Sequence, residues 1–121
     1  MHWQAILALD ELALNLAIEE QCYGRLWQHW DDGSWSQCNG VPQGHAVPQH
    51  PASWDRTMAL AWRYGIDITP PSEHLPGKPG WVLSPWRRTH AMPVATEAEA
   101  RGAVCRVALW RATHPKEGAT P

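Results

Sequence analysis

The side chains of this chain that could do chemistry begin with its histidines. Six lie inside the sequence, at His29, His45, His50, His74, His90 and His114. A zinc site needs three or four ligands that converge on the ion at about 2.0–2.3 Å. His45 and His50 are five residues apart in a proline-rich stretch, and no third ligand stands at a supporting spacing. We therefore predict scattered surface histidines, with no metal site and no cofactor.

Acid–base or nucleophilic catalysis would need a carboxylate or a thiol beside a histidine. Asp31 or Asp32 could act with His29, and Cys38 could act with a histidine. However, the Asp-Asp-Gly run is typical of a tight turn, since Asp bonds to nearby backbone and Gly adopts positive φ. Cys105 lies on an apolar helix face, which predicts a small buried residue. The sequence identifies no catalytic residue, and a small hydrolase remains an alternative.

The tryptophans suggest a binding site of another kind. A stacking wall could contain Trp27, Trp30, Trp35, Trp81 and Trp86, with Arg87, Arg88, Arg25 and Lys78 beside it. Aromatic faces stack on nucleobases, and arginine binds phosphate through paired hydrogen bonds. Alternatively, the nine tryptophans fill the core of a chain that has no phenylalanine, and the two adjacent arginines are a solvated turn. For any single tryptophan we favour the core.

Composition limits the class of protein. The 121 residues are enough for one domain, which we place at residues 1–113 with a flexible tail at 114–121. A net charge of −2 and a pI of about 6.4 argue against general nucleic-acid binding. The three cysteines form no CxxC pair and no disulfide framework, which favours a reduced cytosol. We predict neither a secretory signal nor a membrane span.

The elements that must position these residues are clearest in residues 53–70. Ser53 is a good helix N-cap, and Gly65 can close the helix in the left-handed conformation. The spacing of Trp54, Met58, Ala61 and Trp62 predicts one apolar helix face. A short strand is predicted at residues 66–69, because apolar and polar residues alternate there. We expect the other segments to be organised around this unit.

Further helices are predicted on either side of it. One covers about residues 10–21 and ends near Gly24; the part before Asp10 would belong to it, or form a strand with Asp10 as the helix N-cap. The last helix begins at a Thr96–Glu99 capping box and ends near Ala112. Its apolar stripe contains Val104, Cys105, Ala108, Leu109 and Ala112.

The remaining strands are predicted from turns and aromatic runs. Asp-Asp-Gly between two such runs indicates a hairpin, with Trp30 opposite Trp35. Residues 81–84 form a strand that residues 86–90 either continue or leave. The predicted fold is α+β: a small antiparallel or mixed sheet of about four strands covered by three helices, like an α-β-α sandwich.

This order of elements resembles a family of small phage proteins of unknown function, described as NinX-like or as a phage α-β-α sandwich domain. The match lies in Trp54 to Ile68, in Trp81 and Trp86, and in the closing helix from Ala98 to Ala112. The resemblance implies a phage or prophage protein that works in the bacterial cytoplasm. It brings no known catalytic residues.

Three functions stay open. The first, which we favour, is a non-catalytic accessory protein that binds a host or phage protein. The second is a sponge that sequesters a nucleotide second messenger and so counters host defence. The third is a small hydrolase. A homo-oligomer would fit the first two, because such proteins often build sites between symmetric chains.

Overall fold

The structure is a computed structural model, and it describes residues 1–41, 44, 46–72, 77–84 and 87–115, with backbone only at 87–90. The described elements, in chain order, are α1 (Trp3–Leu7), α2 (Glu11–Tyr23), β1 (Trp27–His29), β2 (Trp35–Gln37), a 3-10 turn (His50–Ala52), α3 (Trp54–Tyr64), β3 (Asp67–Thr69), β4 (Gly80–Ser84), β5 (Arg87–Val94) and α4 (Glu97–Thr113). None of these helices is long and apolar enough to cross a membrane.

The centre of the fold is α4. It packs against α1, α2, α3, the 3-10 turn, β4 and β5. Its buried residues are Ala100, Ala103, Val104, Cys105, Val107, Ala108, Leu109 and Trp110. A helix that is apolar around most of its circumference is buried on most sides. The expected apolar stripe on one side of this helix was therefore too narrow. Because the other elements pack around α4, the expectation that residues 53–70 organise the fold was wrong.

The helix α3 has the predicted ends but a different buried face. The Ser53 hydroxyl accepts a hydrogen bond from the Arg56 amide, and Gly65 ends the helix with a φ of 62°. The buried residues are Thr57, Leu60 and Ala61, whereas Met58 and Trp62 are 48% and 91% exposed. The predicted apolar face was thus largely wrong.

Burial of Thr57 explains this rotation of α3. Its hydroxyl donates to the carbonyl oxygen of His50 at 2.9 Å, so the polar group is paired inside the protein. Once Thr57, Leu60 and Ala61 face the core, the helical spacing directs Met58 and Trp62 to the opposite side. A polar side chain with a buried partner therefore decided which face packs.

The α+β class is confirmed, with the strands divided between two antiparallel sheets. One sheet is the β1–β2 pair, and the other has the order β3-β4-β5. The expected single sheet of about four strands is replaced because Asn39 fixes the hairpin at the end of α2. The Asn39 side chain donates to the Gly24 carbonyl oxygen and accepts from the Leu26 amide, at 2.9 and 2.8 Å.

The hairpin is present, but its pairing differs from the prediction. Trp35 lies opposite His29, and their rings stack at 4.5 Å. Trp30 instead lies opposite Ser34, because its amide donates to the Ser34 carbonyl oxygen across a three-residue turn that contains Gly33 at a φ of 87°. The expected Trp30–Trp35 pair requires a two-residue turn at Asp32 and Gly33. The observed turn has three residues, which shifts the register by one residue, so the expected pair was wrong.

Several predicted helix ends are confirmed by their capping residues. Asp10 accepts from the Ala13 amide at the start of α2, and Gly24 closes that helix with a φ of 66°. The residues before Asp10 form the separate helix α1, so the described part of the chain contains four α-helices rather than the expected three. Thr96 accepts from the Glu99 amide at 3.2 Å at the start of α4.

The strand β5 resolves an alternative that the sequence left open. It runs from Arg87 to Val94 and pairs antiparallel with β4, so residues 87–90 belong to a second strand that runs back along β4 and do not extend it. Pro93 lies within it, opposite Trp81. Proline has no amide hydrogen to donate, and β5 tolerates it because β5 is an edge strand of its sheet.

The C-terminal tail is predicted at residues 114–121, and its first residue, His114, is among the described residues. The His114 ring stacks on Trp110 at 4.4 Å, and its Nδ1 lies 2.9 Å from the Trp110 carbonyl oxygen. His114 therefore packs on the end of α4. Residues 116–121 lie outside the described part of the chain.

Replacement of Gly80 by alanine tests the close contact between β4 and the chain after β3. An added Cβ would lie 2.2 Å from the Thr69 carbonyl oxygen and 2.7 Å from the Pro70 carbonyl carbon. Because backbone atoms cannot rotate away, we expect Gly80→Ala to lower the free energy of unfolding by about 1–3 kcal/mol. Urea unfolding followed by circular dichroism measures this change.

Gly102→Ala in α4 is the matched control. There an added Cβ would meet only the end of the flexible Arg106 side chain, at 3.3 Å. Alanine also favours the helix by about 0.5–1 kcal/mol. Equal destabilisation by both substitutions would contradict the contact described at Gly80.

Candidate functional site

The most concentrated polar structure in the described protein is a cluster around Glu19. This glutamate lies on α2 and is fully buried. Arg25 donates to both carboxylate oxygens, at 2.7 and 2.6 Å, and the Trp27 indole donates at 2.9 Å. The Nε2 atom of His50 lies 2.8 Å from the second oxygen. One carboxylate therefore joins three other side chains.

Local structure explains why these side chains meet. The left-handed Gly24 ends α2 and turns the chain, so that Arg25 lies beside the turn of helix that carries Glu19. On the other side, Asn15 lies one helical turn before Glu19 and accepts from the His50 amide at 3.0 Å. The Tyr23 ring stacks on the His50 ring at 5.5 Å.

The cluster keeps Glu19 ionised. Burial raises the pKa of this carboxyl group, but hydrogen bonds from His50, Arg25 and Trp27, together with the charge of Arg25, outweigh it and lower the pKa from 4.5 to about 2. The hydrogen bond with Glu19, together with the charge of this carboxylate, raises the pKa of Arg25. An ionised carboxylate only accepts hydrogen bonds, so Nε2 of His50 carries a hydrogen.

The Glu19–His50 pair has the form of a general-base dyad, but its burial prevents that use. His50 is 1% exposed, and its Nδ1 atom is buried without a hydrogen-bond partner among the described residues. A catalytic base must reach a proton of the substrate, directly or through one water molecule. The arrangement instead fastens α2, β1 and the 3-10 turn together.

The sequence prediction missed this cluster, and a signal for it was present. His50 was predicted at the surface, which is wrong. On α2, Asn15 and Glu19 are four residues apart, beside the buried Leu14 and Ile18. Two polar residues at helical spacing next to an apolar face predict buried polar groups that need partners.

Two of the three cysteines are poorly suited to nucleophilic chemistry, whereas Cys38 is exposed with its sulfur near the Gln28 side chain and the Ser36 carbonyl oxygen. Burial raises the pKa of the Cys22 thiol to about 11 and that of Cys105 to about 12, so both are protonated near neutral pH. The prediction that Cys105 is buried is confirmed. Within the described ranges, no group of three or more His, Cys, Asp or Glu residues is placed to hold a metal ion.

The predicted stacking residues are divided between the two sheets. Trp27, Trp30 and Trp35 belong to the hairpin region, and Trp81 lies on β4 with 43% exposure. Lys78 is exposed in the segment before β4.

The structure does not show the other candidate ligand-binding residues around a common pocket with these tryptophans. Arg25 is engaged with Glu19, and Arg87 and Arg88 lie on β5, where the structure gives only the backbone. Trp86 lies outside the described residues. Ligand binding by the complete set stays a prediction.

The hairpin forms an exposed arm, which we define as residues 25–39. Leu26 and Trp30 are each 48% exposed, and the Trp30 indole donates to the Ser36 hydroxyl at 2.7 Å. Asp31 and Asp32 are exposed at its tip. The arm therefore presents apolar side chains next to two carboxylates.

The two carboxylates of the tip have different roles. Asp32 accepts from the amide and the hydroxyl of Ser34, at 2.9 and 2.6 Å, and these hydrogen bonds lower its pKa. Asp32 thus stabilises the turn itself. Asp31 is the carboxylate that can be changed with least effect on the turn.

Comparison of the chain with protein-family models, curated proteins and solved structures found no match. The resemblance to the NinX-like phage proteins therefore stays a prediction.

Replacement of Glu19 tests the cluster. We expect Glu19→Gln to lower the free energy of unfolding by about 3–5 kcal/mol, because it leaves the Arg25 charge without its buried partner. Glu20→Gln is the matched control, since Glu20 is the exposed neighbour on the same helix. Urea unfolding of the two variants measures the difference. A loss below about 0.5 kcal/mol for Glu19→Gln would show that the cluster is not stabilising.

Acid unfolding provides a second test of the same carboxylate. The folded-state pKa of Glu19 lies below its usual value, so its contribution to stability is complete above about pH 4.5 and is lost as the pH falls towards 2. In this window we expect the stability of the wild-type protein to fall more steeply than that of Glu19→Gln. Urea titrations at pH 5, 4 and 3 measure both slopes, and parallel slopes would contradict the assignment.

Proposed function

We propose that this protein acts by binding another protein without catalysing a reaction. The observation that carries this proposal is the arm, which holds Leu26 and Trp30 half-exposed beside the carboxylates of its tip. Tryptophan is enriched among residues that dominate the energy of protein interfaces. Exposed apolar side chains on a rigid element are typical of such surfaces.

The rigidity of the arm supports this use. A two-stranded hairpin alone is marginally stable in water. Here the Trp27 indole is bound to Glu19, and the Asn39 side chain is bound to the backbone on both sides of Arg25. A fixed arm loses little conformational entropy on binding, which favours affinity.

The charges of the arm define the partner's chemistry. Asp31 and Asp32 lie next to the exposed Trp30, so the complementary surface is an apolar recess bordered by lysine or arginine. Such a recess on a host or phage protein is the proposed target. The phage origin and the bacterial cytoplasm are part of the proposal through the family resemblance alone.

The two alternative functions receive less support. A nucleotide sponge needs the aromatic and basic residues around one pocket, whereas Trp30 lies at the turn of the β1–β2 hairpin and Trp81 lies on β4 of the other sheet.

A hydrolase needs a base or nucleophile within reach of its substrate, and His50, Cys22 and Cys105 are buried. Cys38 and His29 are exposed, but the Cys38 sulfur lies near Gln28 and the His29 ring stacks on Trp35. Binding through the arm uses side chains that are already exposed.

Native mass spectrometry of the protein purified from bacterial lysate, with and without phage infection, tests the proposal. We expect a stoichiometric protein to purify with the wild type and with Trp81→Ala, and to be lost with Trp30→Ala. Trp81 and Trp30 are similarly exposed, at 43% and 48%, but Trp81 lies on β4 and Trp30 lies at the turn of the hairpin. A bound nucleotide that both substitutions remove would support the sponge instead, and a bound protein that Trp30→Ala does not displace would contradict the role of the arm.

Charge reversal at the tip gives an independent measurement on the purified complex. We expect Asp31→Lys to weaken binding by about tenfold, mainly through slower association, because it opposes the basic border of the recess. Asp32 is left unchanged, since it holds the turn. Surface plasmon resonance at low and high salt measures the rate constants. An unchanged association rate at low salt would exclude a basic partner surface.

A further inference from the structure

The hydrogen bonds of the hairpin show which backbone groups of β1 face β2. Beyond one end of the strands, the Trp30 amide donates to the Ser34 carbonyl oxygen. Beyond the other end, the Cys38 amide donates to the Leu26 carbonyl oxygen. In an antiparallel pair, residues that bond across the pair alternate with residues that do not. Gln28, midway between Leu26 and Trp30, is therefore the residue of β1 whose amide and carbonyl oxygen face β2.

The backbone groups of Trp27 and His29 consequently point away from β2, along the free edge of the hairpin. Their amides and carbonyl oxygens make no hydrogen bond with another residue in the described part of the chain. No further described strand belongs to this sheet. The edge along β1 therefore presents two donors and two acceptors at the spacing that an added strand requires.

The opposite edge of the hairpin, along β2, is less accessible. The Gln37 side chain donates to the carbonyl oxygens of Asn39 and Val41, so the chain after β2 turns back towards this strand. All three residues of β2 are half-buried, whereas Gln28 and His29 on β1 are exposed. The edge along β1 is therefore the more open of the two.

The other sheet protects its edges in a way that β1 does not. Pro70 and Pro71 directly follow β3, and Pro93 lies within β5. Proline and charged residues at a sheet edge discourage pairing with another chain. Residues 27–29 contain neither, so β1 keeps an edge that can pair.

We propose that an extended segment of the partner protein pairs antiparallel with β1, through the backbone of Trp27 and His29, and adds a third strand to the arm. The inference rests on the proposed binding through the arm and specifies how the partner is held. In recognition of this kind, backbone hydrogen bonds give affinity and the neighbouring side chains give selectivity.

The side chains beside this edge define the chemistry of the segment. Each residue of an added strand lies beside the β1 residue opposite to it and on the same face of the sheet. An apolar residue fits opposite Trp30, whose indole is half-exposed. The next position lies beside the exposed Asp31, which favours lysine or arginine there. The expected segment is therefore extended, with a basic residue directly before an apolar one.

A peptide titration followed by amide NMR spectra tests this pairing. The probe is the capped peptide acetyl-Lys-Val-Thr-Val-Thr-amide, whose two threonines lie opposite His29 and Trp27 when lysine is beside Asp31. We expect a dissociation constant of about 1 mM, with the largest shifts at the amides of Trp27 and His29. The matched control is the same peptide with both threonine nitrogens methylated. It lacks the donors that face β1, so we expect it to bind about tenfold more weakly.

Substitution of His29 tests the same hydrogen bonds from the side of the protein. His29→Pro removes an amide hydrogen that faces away from β2, so it removes no hydrogen bond of the hairpin. His29→Ala is its control, since both variants lose the ring that stacks on Trp35. We expect His29→Ala to bind the peptide within about threefold of the wild type and His29→Pro to bind about tenfold more weakly. Circular dichroism shows whether each variant is folded, and the methylated peptide tests the pairing on the unaltered protein.

The outcomes separate this inference from the proposed function. A peptide that does not bind at about 5 mM, or that binds equally with and without its methyl groups, would overturn strand addition. If such a result accompanies a lysate protein that depends on Trp30, binding through the arm stands and strand addition fails. If the peptide pairs with β1 but no lysate protein depends on Trp30, strand addition stands and the proposed function fails.

Discussion

The buried carboxylate of Glu19 is the interaction on which the arrangement of the surface depends. It accepts hydrogen bonds from Arg25 and Trp27 and lies against His50, so three separate parts of the chain meet at one charge. Burying a carboxylate is unfavourable unless it is well paired, and here its pKa shows that pairing outweighs burial. The cluster joins α2 to the arm on one side and to the turn before α3 on the other.

In this arrangement, different elements provide the stable core and the exposed aromatic surface. Stability comes from α4, whose alanine and valine residues let the surrounding elements pack closely around it. Larger aromatic side chains are then free to lie at the surface. Trp30 projects from the arm and Trp62 from α3, on elements held by the Glu19 cluster and by Thr57.

Much of the local structure could be predicted from the sequence, because it is set by residues close together in the chain. The capping residues Asp10, Ser53 and Thr96 begin helices as expected, and Gly24 and Gly65 end them. The Asp-Asp-Gly hairpin and the α+β class follow from the same short-range rules. The burial of Cys105 also follows from its helix face.

What the sequence determined by itself is where the capped helices α2, α3 and α4 begin and where α2 and α3 end, since caps depend on neighbouring residues. Only the tertiary structure decided which side of α3 is buried, how the strands divide into sheets, and that His50 meets Glu19 from 31 positions away. Helical periodicity shows which residues share a face of the helix but not which face is buried. The buried face depends on packing and on partners for buried polar groups. The exposed position of Trp62 and the buried position of Glu19 both follow from that limit.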